Sequence, residues 1–186
     1  MQKLIFTIIC FFILNQTLVF GQNDANSGII YGDDHVYTLT APKGWILDNS
    51  SGVSQGLHAV FYPIASSWGK AVTVLYTNVV HMNSTNDKNL DNVIQHDIER
   101  FKQNAPSLRI EEKERIEIDK KNNKARVFYF LGDSHDNYEA VAYIPEDKVV
   151  VLIVLSARNE KEFRANIKAF EELTKSYYFI TDKVNY

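Results

Sequence analysis

Val149-Val150-Val151-Leu152-Ile153-Val154-Leu155 is an unbroken aliphatic run, bounded upstream by the turn Pro145 to Lys148 and downstream by Ser156. A run this short and this rich in β-branched side chains reads as a strand, and its lack of polar alternation means that both faces are buried. The turn before it is too short for a crossover, so Tyr138 to Ile144 must return antiparallel to it. Further upstream, Arg126 to Leu131 is nearly all apolar, and Lys120 to Asn123 is the turn separating it from Leu108 to Ile118. Leu108, Ile110, Ile116 and Ile118 fall on one face of that strand, with Arg109, Glu111, Lys113, Arg115 and Glu117 on the other.

Helical spacing flanks this block on both sides. Leu90, Val93, Ile94, Ile98 and Phe101 form one apolar stripe, which Ala105-Pro106 ends. Phe163, Ile167, Phe170, Leu173 and Tyr177 form another, opposite Lys161, Arg164, Lys168, Glu171 and Lys175. Asn159 and Glu162 have the spacing of a capping box at its start. Before the first helix, three more strands read from alternation or β-propensity: Val36 to Ala41, Leu57 to Tyr62 and Ala71 to Val80. The expected class is α+β. An antiparallel sheet is sandwiched by helices, with core order helix, four strands, helix, preceded by N-terminal strands.

The first 21 residues read as a secretory signal. Lys3 precedes the apolar run Leu4 to Leu14, and Val19-Phe20-Gly21 supplies a small residue for cleavage. The apolar run is shorter than the roughly 20 residues that span a bilayer. Cleavage after Gly21 gives a mature chain starting at Gln22, with no stable membrane anchor and an exported location, periplasmic or secreted. Residues 22–34, rich in Asn, Asp and Gly, read as a flexible segment, and 35–186 as a single domain. The lone cysteine, Cys10, leaves with the signal, so disulfides, thiol chemistry and Cys-based zinc sites are excluded from the mature chain. Formal charge is −3, and −4 once Lys3 is gone; nucleic acid is therefore not an expected partner.

The strand leading into Ala41-Pro42-Lys43-Gly44-Trp45 resembles the Pro-x-Gly-Trp motif of the PsbP-like superfamily. That superfamily takes in the extrinsic lumenal subunit of the oxygen-evolving photosystem, bacterial periplasmic proteins of the DcrB type and the Ran-binding Mog protein. Its core order, helix, four antiparallel strands and helix, is followed by Leu90 to Tyr178. The close, an apolar-striped helix running into Ser176-Tyr177-Tyr178-Phe179, is similar as well. The resemblance implies the sandwich fold over nearly the whole mature domain, and an accessory or binding role. It brings no catalytic residues that map onto this chain.

Candidate sites are few. Trp68 sits in a loop of small residues, Ala65-Ser66-Ser67-Trp68-Gly69-Lys70. It is either a binding anchor, joined by Tyr62 and Tyr76 on adjacent strands, or a ring that folds back onto the sheet edge. Two loops, Gly32-Asp33-Asp34-His35 and Gly132-Asp133-Ser134-His135-Asp136, cluster possible metal ligands in Asp33, His35, Asp133 and His135. Zinc wants about four ligands in tetrahedral array. Neither loop supplies that alone, and turn chemistry explains both. Asp97 falls inside the first helix's apolar stripe, where it must pair with a nearby cation or line a pocket. No nucleophile elbow, Ser-x-x-Lys or His-Glu-x-x-His motif occurs, so no catalytic residue and no cofactor is assigned. The sequence favours a non-catalytic accessory or binding protein holding an unknown protein or small ligand. The alternative is a metal-dependent or hydrolytic periplasmic enzyme using the His35 and His135 loops.

Overall fold

Seven strands form one antiparallel sheet, in the spatial order β3 (Trp45–Asp48), β4 (Val60–Pro63), β5 (Thr73–His81), β9 (Val149–Ala157), β8 (Tyr138–Pro145), β7 (Asn123–Leu131) and β6 (Arg109–Ile118). A smaller antiparallel sheet has the order β1 (Ser27–Gly32), β2 (His35–Thr40) and β10 (Tyr178–Thr181). Two helices, α1 (Leu90–Asn104) and α2 (Glu160–Lys175), complete the fold. The computed structural model describes residues 26–82, 88–118, 123–133 and 137–184. The proposed leader with its cleavage site, and His135, lie outside the described residues.

The aliphatic run decides the layering. Val149, Val151, Ile153 and Leu155 of β9 join Phe163, Phe170 and Leu173 of α2 and Ile30, Tyr37 and Leu39 of the small sheet in one core. Val150, Leu152 and Val154 point the other way, into a second core with Val93 and Ile94 of α1. Each buried aliphatic side chain contributes about 1.5–3 kcal/mol, so a strand buried on both faces is the chief source of stability in a chain without disulfides. Asn159 caps α2 by accepting from the backbone N–H of Glu162 at 2.9 Å, and Asn89 caps α1 in the same way through Asn92 at 3.0 Å. Both apolar stripes face the sheet, with Leu90, Ile98 and Phe101 half-buried beside Val93 and Ile94. Buried Tyr37 ties the two sheets together, donating its hydroxyl to Thr77 Oγ1 at 3.0 Å.

Three local expectations need correction. The segment 22–34 is not a tether throughout, because Ser27–Gly32 forms β1 and buries Ile30. The glycines that make it look flexible serve close approach. A Cβ on Gly28 would stand 2.5 Å from Leu47 Cδ2, and one on Gly32 would stand 2.6 Å from the His35 ring. In β6 the alternation does not hold along the whole strand. A bulge between Lys113 and Ile116 inserts one residue against β7, which flips the facing. Ile110 therefore packs in the α1 core, whereas Ile116 and Ile118 join the α2 core. The chain also continues past α2 into β10, which pairs with β2.

Candidate functional site

On the α1 side of the large sheet the helix does not cover every strand. Its ring and polar contacts fall on β7 and β8, and its apolar stripe shares a core with β9 and with Tyr76 and Val80 of β5. Phe101 stacks on Phe130 with centroids 4.1 Å apart, Tyr143 donates its hydroxyl to Asp97 Oδ2 at 2.7 Å, and Arg126 reaches Asp91 at 2.6 Å. Beyond that, β3, β4 and β5 present Ile46, Tyr62 and Tyr76 to the same side. The register sets Tyr62 against Ile46 and Val60 against Tyr76, while Phe61 and Leu75 turn to the α2 core.

Trp68 lies in the β4–β5 connection and remains half-buried. It meets Tyr76 edge-on, with centroids 6.3 Å apart and an interplanar angle of 83°. The ring folds back onto β5, as the second reading expects, and keeps part of its surface exposed. An edge-to-face pair of this kind adds about 0.5–1.5 kcal/mol beyond its area. Burial holds the Tyr76 hydroxyl un-ionised, with its pKa well above the ordinary range. Tyr62 belongs to the same face but has other work. Its hydroxyl donates to Asp48 Oδ2 at 3.0 Å. Asp48 also accepts from the backbone and hydroxyls of Ser50 and Ser51, which hold it far below the usual carboxylate range and fix the loop after β3.

Glu139 of β8, not singled out by sequence reasoning, is the chemically distinctive neighbour. It pairs across the ladder with Ser156, whose hydroxyl donates to Oε1 at 3.0 Å, and Ser156 in turn faces Val74 of β5. Desolvation pushes the Glu139 pKa up to about 7, with the Ser156 hydrogen bond opposing and the Asp97 charge adding to the rise. The sequence signal was present: a lone glutamate in a strand otherwise buried on both faces. Asp97 takes both roles expected of it. It pairs with Arg100 Nη2 at 2.6 Å, and it lines a cavity of about 150 Å³ with Val80, Val93, His96 and Arg100.

The described parts of the two histidine loops do not meet. His35 sits beside His81, with centroids 6.3 Å apart, and next to the β8–β9 turn, where Lys148 bridges Asp34 at 2.8 Å. Asp133 lies at the other end of the sheet, before Tyr138, which pairs with Ala157. Eight steps of β9 separate those ends, about 26 Å at ~3.3 Å per residue. Asp133 caps its own loop, accepting from the backbone N–H and Nδ2 of Asn137 at 2.8 and 3.0 Å. Asp33 touches His35 through its carbonyl, 2.7 Å from Nδ1. The proton therefore sits on Nδ1, and Nε2 is a buried acceptor with no hydrogen-bond partner among the described residues. Burial lowers the His35 pKa. Among the described residues no group of three or more His, Cys, Asp or Glu is placed to hold a metal ion.

The architecture, two helices against a seven-stranded sheet with a three-stranded sheet beside α2, is the PsbP/Mog1-like fold. Three solved structures carry the likeness. CyanoP, the cyanobacterial PsbP of Synechocystis sp. PCC 6803, superposes with a TM-score of 0.53 at 15% identity, over 86% of this chain and 96% of its own. LpqN of Mycobacterium tuberculosis, described as involved in cell envelope biogenesis, gives 0.51 at 12% identity over 82% and 90%. The Ran-binding protein Mog1p of Saccharomyces cerevisiae gives 0.50 at 10% over 83% and 95%. At these identities the likeness speaks for the fold alone. No family model matches the sequence, and no curated protein matches it either.

Proposed function

We propose that this chain is an exported, non-catalytic accessory or binding protein that holds its ligand on the face formed by Trp68, Tyr76 and Glu139. One observation carries the reading: a half-buried tryptophan stands edge-on to Tyr76, near a β8 carboxyl group held near neutrality, at the border where the cover of α1 gives way to the β4–β5 connection. Aromatic anchors next to a few convergent polar groups are the usual make-up of a recognition surface. The unit α1-β6-β7-β8-β9-α2 is the core we take this fold to share with its relatives, and the β3–β5 face lies outside it. The leader-like Lys3 to Gly21 segment supports export to a periplasm or beyond. Ran binding by Mog1p and the involvement of LpqN in cell envelope biogenesis are compatible with this role.

The test is site-specific photo-crosslinking in the native host, with the reactive group at Val72, an exposed residue in the same connection as Trp68, and a control group at Lys161 on the outer side of α2. The reading expects a discrete adduct from the Val72 position that disappears in Trp68→Ala. Identical adducts from both positions, or adducts indifferent to Trp68→Ala, would contradict it.

A further inference from the structure

A second cavity lies elsewhere, along the free edge of the small sheet. It measures about 580 Å³ and is bounded by Ile29, Ile30, Tyr31, Gly32 and Asp33 on one side and by Asn49 and His58 on the other. Four consecutive strand residues and the turn residue Asp33 line it, so it follows the edge of β1, which has β2 on one side and, among the described residues, no strand on the other.

The ladder parity shows what that edge offers. Ala41 N–H donates to Asn26 C=O at 2.8 Å, and the register continues as Gly28 with Leu39, Ile30 with Tyr37 and Gly32 with His35. In an antiparallel pair the hydrogen-bonded residues alternate. Gly28, Ile30 and Gly32 therefore turn their backbone groups to β2, and Ile29 and Tyr31 turn theirs to the cavity. Thr40 agrees with this parity: its N–H points away from β1 and donates to Ser176 Oγ at 3.0 Å.

Edges of this kind are normally blunted by charge, proline or a bulge. β6, an edge of the large sheet, has a bulge and seven charged residues in ten. β10 is four residues long and irregular. β1, Ser-Gly-Ile-Ile-Tyr-Gly, carries no charge, no proline and no bulge. Its outward side chains are also bare, with Ile29 60% and Tyr31 64% exposed.

We propose that the open edge of β1 receives an extended polypeptide segment of a partner protein by strand addition, pairing with the backbone N–H and C=O groups of Ile29 and Tyr31. The groove is some four residues long at ~3.3 Å each, enough for one short strand. Side chains of the added strand alternate. One set stands beside Ile29 and Tyr31 and is apolar or aromatic; the other faces Asn49 and His58 and is small and polar. A second copy of this chain fits poorly, because its own β1 brings its own Asn49 and His58 wall along the edge that would have to enter.

The experiment uses capped eight-residue peptides alternating valine or tyrosine with threonine, and the same peptides N-methylated at every second backbone nitrogen. Amide hydrogen exchange is read residue by residue on the folded domain. Without peptide, the Ile29 and Tyr31 amides exchange freely while Gly28 and Ile30 are protected. With peptide, Ile29 and Tyr31 become protected, and N-methylation in one of the two phases abolishes the effect. Ile29→Pro removes an outward N–H and leaves the β1–β2 ladder intact, so it weakens peptide binding by about tenfold, the loss of one hydrogen bond. The N-methyl series gives the same reading on the unmutated protein should that variant fold badly. Failure of every peptide to protect these two amides overturns the proposal. So does protection that is already present without peptide and rises with protein concentration, which would assign the edge to a second copy.

Discussion

The two ends of the large sheet's α1-facing surface have the same backbone and different fates. Under α1, Phe128, Phe130, Val141 and Tyr143 are buried, and the few polar atoms present are paired, Tyr143 with Asp97 and Arg126 with Asp91 and Glu112. At the β3–β5 end the cover is a loop, and its one large ring, Trp68, keeps part of its surface in water. The difference teaches where stability and recognition separate in this fold. Packing beneath the helix holds the chain together, and where its cover ends, aromatic surface lies near the perturbed carboxyl group of Glu139.

Substitutions should separate the two ends in order of cost. Phe130→Ala removes a buried ring stacked on Phe101 and should lower unfolding free energy by about 3–5 kcal/mol in denaturant titration. Glu139 comes next, through pH. Its folded pKa of about 7 lies above the unfolded value of 4.5, so the folded state holds the proton more tightly. Stability from this group is full below pH 4.5, declines as pH rises toward 7, and levels off above; the drop is on the order of 3 kcal/mol. Glu139→Gln should flatten that slope, and an unchanged profile would remove Glu139 from the account. Tyr143→Phe strips Asp97 of a donor while Arg100 stays, and should cost about 1–2 kcal/mol in the same titration. Trp68→Ala should cost the least, about 1 kcal/mol or less, while abolishing the crosslink from Val72. A loss as large as that of Phe130→Ala would make Trp68 a core residue.

Much of the frame was legible in the chain because local pattern and final environment agree. β9, both helices and the Asn159 cap depend on spacing within a few residues, and all formed where the spacing placed them. The rest depends on residues far apart. The small sheet joins β2 to β10 across the length of the domain, and no local period announces such a pairing. β1 was hidden by Gly28 and Gly32, which read as flexibility until Leu47 and His35 are seen against them. The bulge in β6 left every residue type in place and changed only which side it faced. In the candidate site, Trp68, Tyr62 and Tyr76 could be named from residue type and loop context. Glu139 could not be weighed until its place between Phe130 of β7 and Ser156 of β9 was known.

The central claim is that Trp68, Tyr76 and Glu139 form one unit at the border of the α1 cover on the sheet. Trp45→Phe leaves Trp68 as the sole tryptophan, since the sequence holds only these two. Its fluorescence should then be followed from pH 5 to pH 9 in the folded protein. The account predicts a single transition centred near pH 7, from Glu139 ionising beside Tyr76, that vanishes in Glu139→Gln. A flat profile, or a transition that survives Glu139→Gln, would contradict it.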